Sequence, residues 1–247
     1  MLRLGAVPAD PPAHAWNGGR PPIDWLSLVN RQALVTRLLS TTVHDVNNAL
    51  QVMSAAAEVL AMDPTPEAVA RRTESIVGQA RQATAALQPL VAFARDTAPT
   101  GGRVRPKVVA EQALALRSYA LRKARIASSV SGDDADCAAA HGRVLQVLLN
   151  LLVNAEAVLA GRHGAVLTVR VSAEADRVAV AVDDNGPGLQ EHQVASLFAW
   201  PPMEPPAAGS LGIGLLVSQA LADRDGGAVG YAPRAGGGAS FTLSLPR

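Results

Sequence analysis

The chain has a single cysteine, Cys137. That excludes a disulfide framework and a thiolate metal cluster, suits a reducing cytoplasm, and leaves Cys137 as core filler. A charge excess is missing too. The 22 Lys and Arg nearly cancel the 21 Asp and Glu, so no strong field points to nucleic acid or an anionic surface as partner. Long apolar runs are scarce: the longest, "VLQVLLNLLVNAEAVLA" at 144–160, is interrupted by Gln146, Asn150, Asn154 and Glu156 and falls short of a bilayer's span. No membrane insertion is expected. The opening "MLRLGAVPADPPAHAWNGGRPP" lacks a secretory apolar core and is dense in Pro and Gly, so residues 1–21 read as a disordered tail.

What is present is 49% hydrophobic residues, enough for a buried core, in a chain long enough for one large or two ordinary domains. Apolar or small residues recur at helical spacing at Val35, Leu38, Thr42, Val46, Ala49, Met53, Ala56 and Leu60. They recur again at Val69, Ile76, Ala80, Ala83, Leu87, Leu90 and Ala94. Between these two helices, in "MDPTPEA", Thr65 suits a cap, Pro66 a first helical position and Glu67 the helix dipole. Residues 22–97 are therefore expected to form a helical hairpin. Its narrow stripe calls for a second copy, giving a homodimeric four-helix bundle. Pro89 is expected to kink the second helix or mark its last turns.

After a Pro/Gly linker at 98–106 the pattern changes. "AVLTVRVS", "RVAVAVDD" and "SFTLSL" alternate as half-buried strands, with helices near 107–123, 141–160 and 212–225. Residues 107–247 thus read as an α/β sandwich, one sheet covered by helices on one face.

The candidate chemistry lies in four short stretches. In "VHDVNNALQV", His44 sits two residues from the inward Thr42, roughly 200° around the helix, and so faces solvent together with Asn48. A neutral imidazole on a rigid surface can act as a nucleophile, and the adjacent Asp45 can accept its Nδ1 proton. Metal ligation is the weaker reading, since His14, His141, His163 and His192 show no ligand spacing with His44. In "NLLVNA", Asn150 and Asn154 lie one helical turn apart and can offer two amide oxygens to a hydrated cation and its phosphates. In "VDDNGPGL", Asp184 shares the parity of Val178, Val180 and Val182, so a carboxylate points at the covered face. An adenine amino group is a fitting donor to it, and Gly186 and Gly188 allow a flat ring to approach the backbone. "GSLGIGLLVSQALADRDGG" is a glycine-rich entry to a helix whose free N–H groups suit phosphate.

In this order the stretches, with "SLFAW" between the last two, resemble the H, N, G1, F and G2 boxes of sensor histidine kinases of the HisKA plus GHKL-ATPase type, over about 30–247. "HDVNN" is similar to the H box of the HDxNN subgroup. The resemblance implies a Bergerat-type ATP-binding fold after the bundle, with His44 as phosphoacceptor and Asp45 as its activating neighbour. It further implies that Asn48 orients water for dephosphorylating a response regulator, and that Mg²⁺-ATP is held by Asn150, Asn154, Asp184, Gly186, Gly188, Gly212 and Gly214, with the two Asn at the metal. The partners implied are a second copy, a response regulator receiver domain and a separate sensor protein, in the cytoplasm and without nucleic acid.

Three departures stand out. Ala49 occupies a position where the subgroup often has Pro; the segment from Leu189 to Leu215 has no Lys or Arg for a γ-phosphate; and "NAEAVL" carries Glu156 where a basic residue is usual. The altered lid keeps a second expectation open, a phosphotransfer adaptor with a degenerate ATP domain. An ATP-hydrolysing machine fits less well, because the position one turn before Asn154, where a water-activating carboxylate is needed, is Asn150.

Overall fold

The computed structural model describes residues 20–95, 102–201 and 212–247. Residues 1–19 of the tail expected over 1–21, the linker before Gly102 and the altered segment at 202–211 lie outside these residues, whereas Pro21 is buried and not part of a disordered tail.

Helix α1 runs unbroken over Ile23–Met62, and α2 over Pro66–Arg95 returns along it. Ala49 lets α1 continue where a proline would remove a backbone bond. At the turn, the Asp63 carboxylate accepts from the Thr65 N–H at 3.4 Å, and Pro66 opens α2 with Glu67 in its first turn. Pro89 lies within the last two turns of α2. The stripe read for α1 faces inward: Val35, Leu38, Thr42, Ala49 and Ala56 are buried. On α2 the inward face is rotated from the one read in the sequence. Ala68, Leu90 and Phe93 are buried, while Val69 and Leu87 are exposed. The sequence stripe had merged two faces of one helix.

The second unit contains β1 (Arg103–Val104), α3 (Pro106–Lys123), β2 (Ala127–Gly132), β3 (Cys137–Ala138) and α4 (His141–Leu159). It continues with β4 (Val166–Ala173), β5 (Arg177–Asp184), α5 (Glu191–Ser196), α6 (Gly214–Arg224), β6 (Ala228–Pro233) and β7 (Ala239–Pro246). Five strands form one sheet in the order β2-β4-β5-β7-β6, with only β2 and β4 parallel. Residues 103–104, expected in the linker, pair antiparallel with 137–138 as a small second sheet. Strands β2 and β6 escaped the sequence reading because "ASSVSG" and "AVGYAP" are edge strands of small and polar residues without alternation.

The inward residues Leu167, Val169 and Val171 of β4, Val178, Val180 and Val182 of β5, and Leu243 and Leu245 of β7 are buried beneath α3, α4 and α6. Buried Cys137 belongs to this core, and burial pushes its thiol up to about 11, so it stays protonated and inert. By length and composition α4 is apolar enough to cross a membrane, with a mean hydropathy of 1.4, contrary to the reading of its interrupted run. In this fold it is the central core helix, and Leu149, Leu151 and Leu159 have no exposed surface. Leu26, Leu34, Leu38, Leu90 and Phe93 of the hairpin join the same continuous core.

Candidate functional site

On α1, Thr42 is turned inward with its hydroxyl donating to the Leu38 carbonyl at 3.1 Å. His44 is thereby turned outward, its side chain 44% exposed. The ring is not wholly in solvent. Tyr119 of α3 covers one side of it, with ring centroids 4.2 Å apart at 36°. His44 Nδ1 lies 3.1 Å from Asn48 Nδ2 and 3.7 Å from Asp45 Oδ1. The expected proton acceptor Asp45 is thus beyond hydrogen-bond reach, and the amide one turn along holds Nδ1 instead. With the amide N–H donating, the ring proton sits on Nε2. Turning the amide over offers its oxygen to Nδ1–H and frees Nε2.

Asp184 is the last residue of β5 and is buried on the helix-covered face, as its parity requires. Its Oδ1 accepts from the Gly186 N–H at 2.7 Å and the Ala239 N–H at 3.3 Å. Oδ2 has no hydrogen-bond partner among the described residues, which leaves one acceptor for a ligand amino group. Gly186 is required for a closer reason than ring approach: a Cβ there stands 2.7 Å from Asp184 Oδ1 and 3.3 Å from Val158 of α4. Gly188 has φ +74° and faces the Gly238 carbonyl, 3.2 Å from where its Cβ would sit.

Two supports of this corner went unread in the sequence. At Gly238, φ +102°, a Cβ meets the Asp184 carbonyl oxygen at 2.0 Å, so the run "GGG" before β7 is part of the site. Arg234 donates to the same carbonyl at 2.9 Å. The neighbouring Asp183, on the opposite face, is held by Arg170 at 2.6 Å, and that bond pushes the guanidinium's affinity for its proton up. A triple glycine and an Arg beside it carry no pattern until the loop is folded against β5.

Gly212 has φ +69°, and Gly214 begins α6, so the glycine-rich stretch does enter a helix N-terminus. A Cβ on Gly214 lies 3.3 Å from Asn150 Oδ1. The pair on α4 is split. Asn154 is half-buried and its amide makes no hydrogen bond among the described residues. Asn150 is buried: its Nδ2 donates to the Gly214 carbonyl and Ser218 Oγ, both at 3.2 Å, and to Asn30 Oδ1 at 3.1 Å. Its Oδ1 accepts from Asn30 Nδ2 at 2.9 Å. Mg²⁺ favours hard oxygen ligands. The donor set therefore fits such a cation at Asn154, while Asn150 Oδ1 is held in place by its bond from Asn30. Glu156, in place of a basic residue, is engaged by the Arg117 guanidinium of α3.

The unit thus brings together a buried carboxylate at a strand end, glycines packed around it, an amide-bearing core helix and a glycine-led helix. Residues 140–247 match the family described as histidine kinase-, DNA gyrase B-, and HSP90-like ATPase. Across 89% of its length the chain is similar to bacterial sensor proteins. It is 31% identical over 231 residues to the C4-dicarboxylate transport sensor protein DctS of Rhodobacter capsulatus, of which it covers 35%. It is 40% identical over 105 residues, 42% of the chain and 22% of the relative, to the sensor histidine kinase ZraS of Klebsiella oxytoca. Among solved structures, the catalytic domain of histidine kinase ThkA shares the fold, with a TM-score of 0.54 at 23% identity over 59% of this chain and 95% of that one. The chain spans about a third of the length of the DctS sensor it matches.

Proposed function

We propose that the chain is a cytoplasmic histidine kinase core that uses Mg²⁺-ATP to phosphorylate His44, passes the phosphoryl group to an Asp of a response regulator receiver domain, and also dephosphorylates that regulator. It works as a homodimer through a four-helix bundle built from α1 and α2, taking its input from a separate sensor protein. The observation that carries the reading is His44: an outward imidazole on a rigid helix, its Nδ1 held by an amide 3.1 Å away, on the same chain as an ATPase-family domain.

In this reading Asp184 accepts the adenine amino group with its unspent oxygen. The N–H groups at the start of α6 face phosphate. Asn154, joined by Asn150 when that amide is released, would hold the metal, which when bound would supply positive charge against the phosphates. Asn48, turned to accept from Nδ1–H, leaves the Nε2 lone pair for attack on phosphorus. Asp45 stabilises the imidazolium character that develops on the ring. In the reverse duty, the Asn48 amide aligns a water against a regulator's acyl phosphate.

Incubation with γ-labelled Mg²⁺-ATP tests this. The parent chain should acquire acid-labile, alkali-stable label, and His44→Ala should lose it while still binding nucleotide. Label that persists in His44→Ala defeats the assignment, and a parent chain that binds nucleotide but never takes label is an adaptor instead.

A further inference from the structure

The contact between α1 and α4 is polar where its surroundings are apolar. Between the buried Leu26 and Leu34, α1 presents Ser27, Asn30 and Arg31, all of them buried, and α4 answers with the buried Gln146 and Asn150. Asn30 and Asn150 form a closed amide pair, each donating to the other's oxygen at 2.9 and 3.1 Å. Gln146 Nε2 donates to Asn30 Oδ1 and to the Ser27 carbonyl, both at 2.9 Å. Arg31 closes the set on Gln146 Oε1 at 3.0 and 3.2 Å, with its guanidinium over Phe93 of α2. These groups satisfy one another inside the core, and apolar side chains of the same size would cement the contact at least as well. What the amides add is dependence: once one leaves, its partners are buried and unpaired, so the network releases as a unit.

One member of that network is also a candidate ligand of the nucleotide's cation. Of the two amides on α4, Asn154 is free of hydrogen bonds among the described residues, whereas Asn150 Oδ1, its metal-capable atom, accepts from Asn30 Nδ2 at 2.9 Å, which occupies one of its two lone pairs and fixes the direction in which the oxygen points. We infer that Asn30 is a positioning residue of the nucleotide site, a latch that holds the Asn150 oxygen away from the bound cation until the first turns of α1 part from α4. The inference rests on the Mg²⁺-nucleotide reading of this unit and deepens it. Hairpin docking and cation coordination then compete for one amide oxygen, so each weakens the other by the same factor. Through its Nδ2 bonds to Gly214 and Ser218, Asn150 carries the same competition to the first turn of α6.

The test uses the full chain and the non-hydrolysable analogue AMPPNP, titrated by calorimetry with Mg²⁺ and again with EDTA. Asn30→Ala, and Asn30→Leu as the variant that keeps the side chain's size, should tighten Mg²⁺-AMPPNP binding by about fivefold or more, the lower end of what coupled sites show. Affinity in EDTA should not change. In the parent chain, Mg²⁺-AMPPNP should raise amide exchange over residues 23–38, and AMPPNP in EDTA should not. Unchanged or weaker Mg²⁺-AMPPNP binding in both variants, an equal gain in EDTA, or protection of 23–38 on binding Mg²⁺-AMPPNP overturns the latch while leaving the nucleotide site standing. No binding of AMPPNP to any form overturns the site and the latch together.

Discussion

The two ends of the helical hairpin differ. Near residues 23–38 and 90–93 its apolar side chains are sunk in the core of the sheet unit, with Leu26 and Leu38 each 1% exposed. Toward the turn, Leu50, Val59, Met62, Val69 and Val77 lie at the surface, Met62 the most open at 86%. The same pair of helices thus has one end satisfied within its own chain and one end with apolar side chains that none of the described residues covers. Burial of apolar surface stabilises in proportion to area removed from water. The near end is therefore anchored by the fold, and the far end would gain from the second copy proposed above.

The largest effect that sharpens this contrast is a matched pair of truncations. Leu38→Ala opens a cavity in the shared core and should lower unfolding stability by about 2–5 kcal/mol, whereas Val59→Ala at the surface should cost about 0.5 kcal/mol. Denaturant melts of both give the answer, and equal losses erase the distinction. Next comes Asp184→Asn, confined to the sheet unit: it replaces the unspent acceptor with a mispaired amide and should weaken nucleotide binding about ten- to a hundredfold. Unchanged affinity in calorimetry removes Asp184 from the adenine contact. Leu50→Glu places a charge at the uncovered end, and light scattering should then report a monomer with the melting of the sheet unit preserved. A dimer that survives the substitution relocates the interface.

The smallest effect concerns acidity. His141 opens α4 with Nε2 2.9 Å from Gln112 Oε1 of α3, and burial lowers its pKa from 6.5. The unfolded chain therefore binds the proton more readily. The contribution is fully present above pH 6.5 and is lost as pH falls from there toward the folded value. His141→Gln should flatten this part of the stability profile, and a profile of unchanged slope shows that other groups carry it.

Much of this was legible in the sequence because period reports burial. The stripe from Val35 to Ala56 and the alternation in "RVAVAVDD" each describe one face meeting one core. Asp184 was readable for the same reason: a carboxylate on an apolar parity has to be doing something other than packing. What escaped depended on the third dimension. Asn30 and Arg31 look like ordinary surface residues until α4 is laid across them, and Tyr119 meets His44 from 75 positions along the chain. The stripe on α2 misled because Val69 and Leu87 sit one position from Ala68 and Ala86, and a helix with two apolar faces has no single phase.

The unbroken length of α1 has a mechanical consequence. Forty residues at about 1.5 Å each make a rod of about 60 Å, with no proline or bulge to absorb a twist. His44 stands near its middle. A turn of this rod about its own axis would carry the imidazole across the face of Tyr119 by the same angle, so the phase of one side chain reads out the setting of the whole helix.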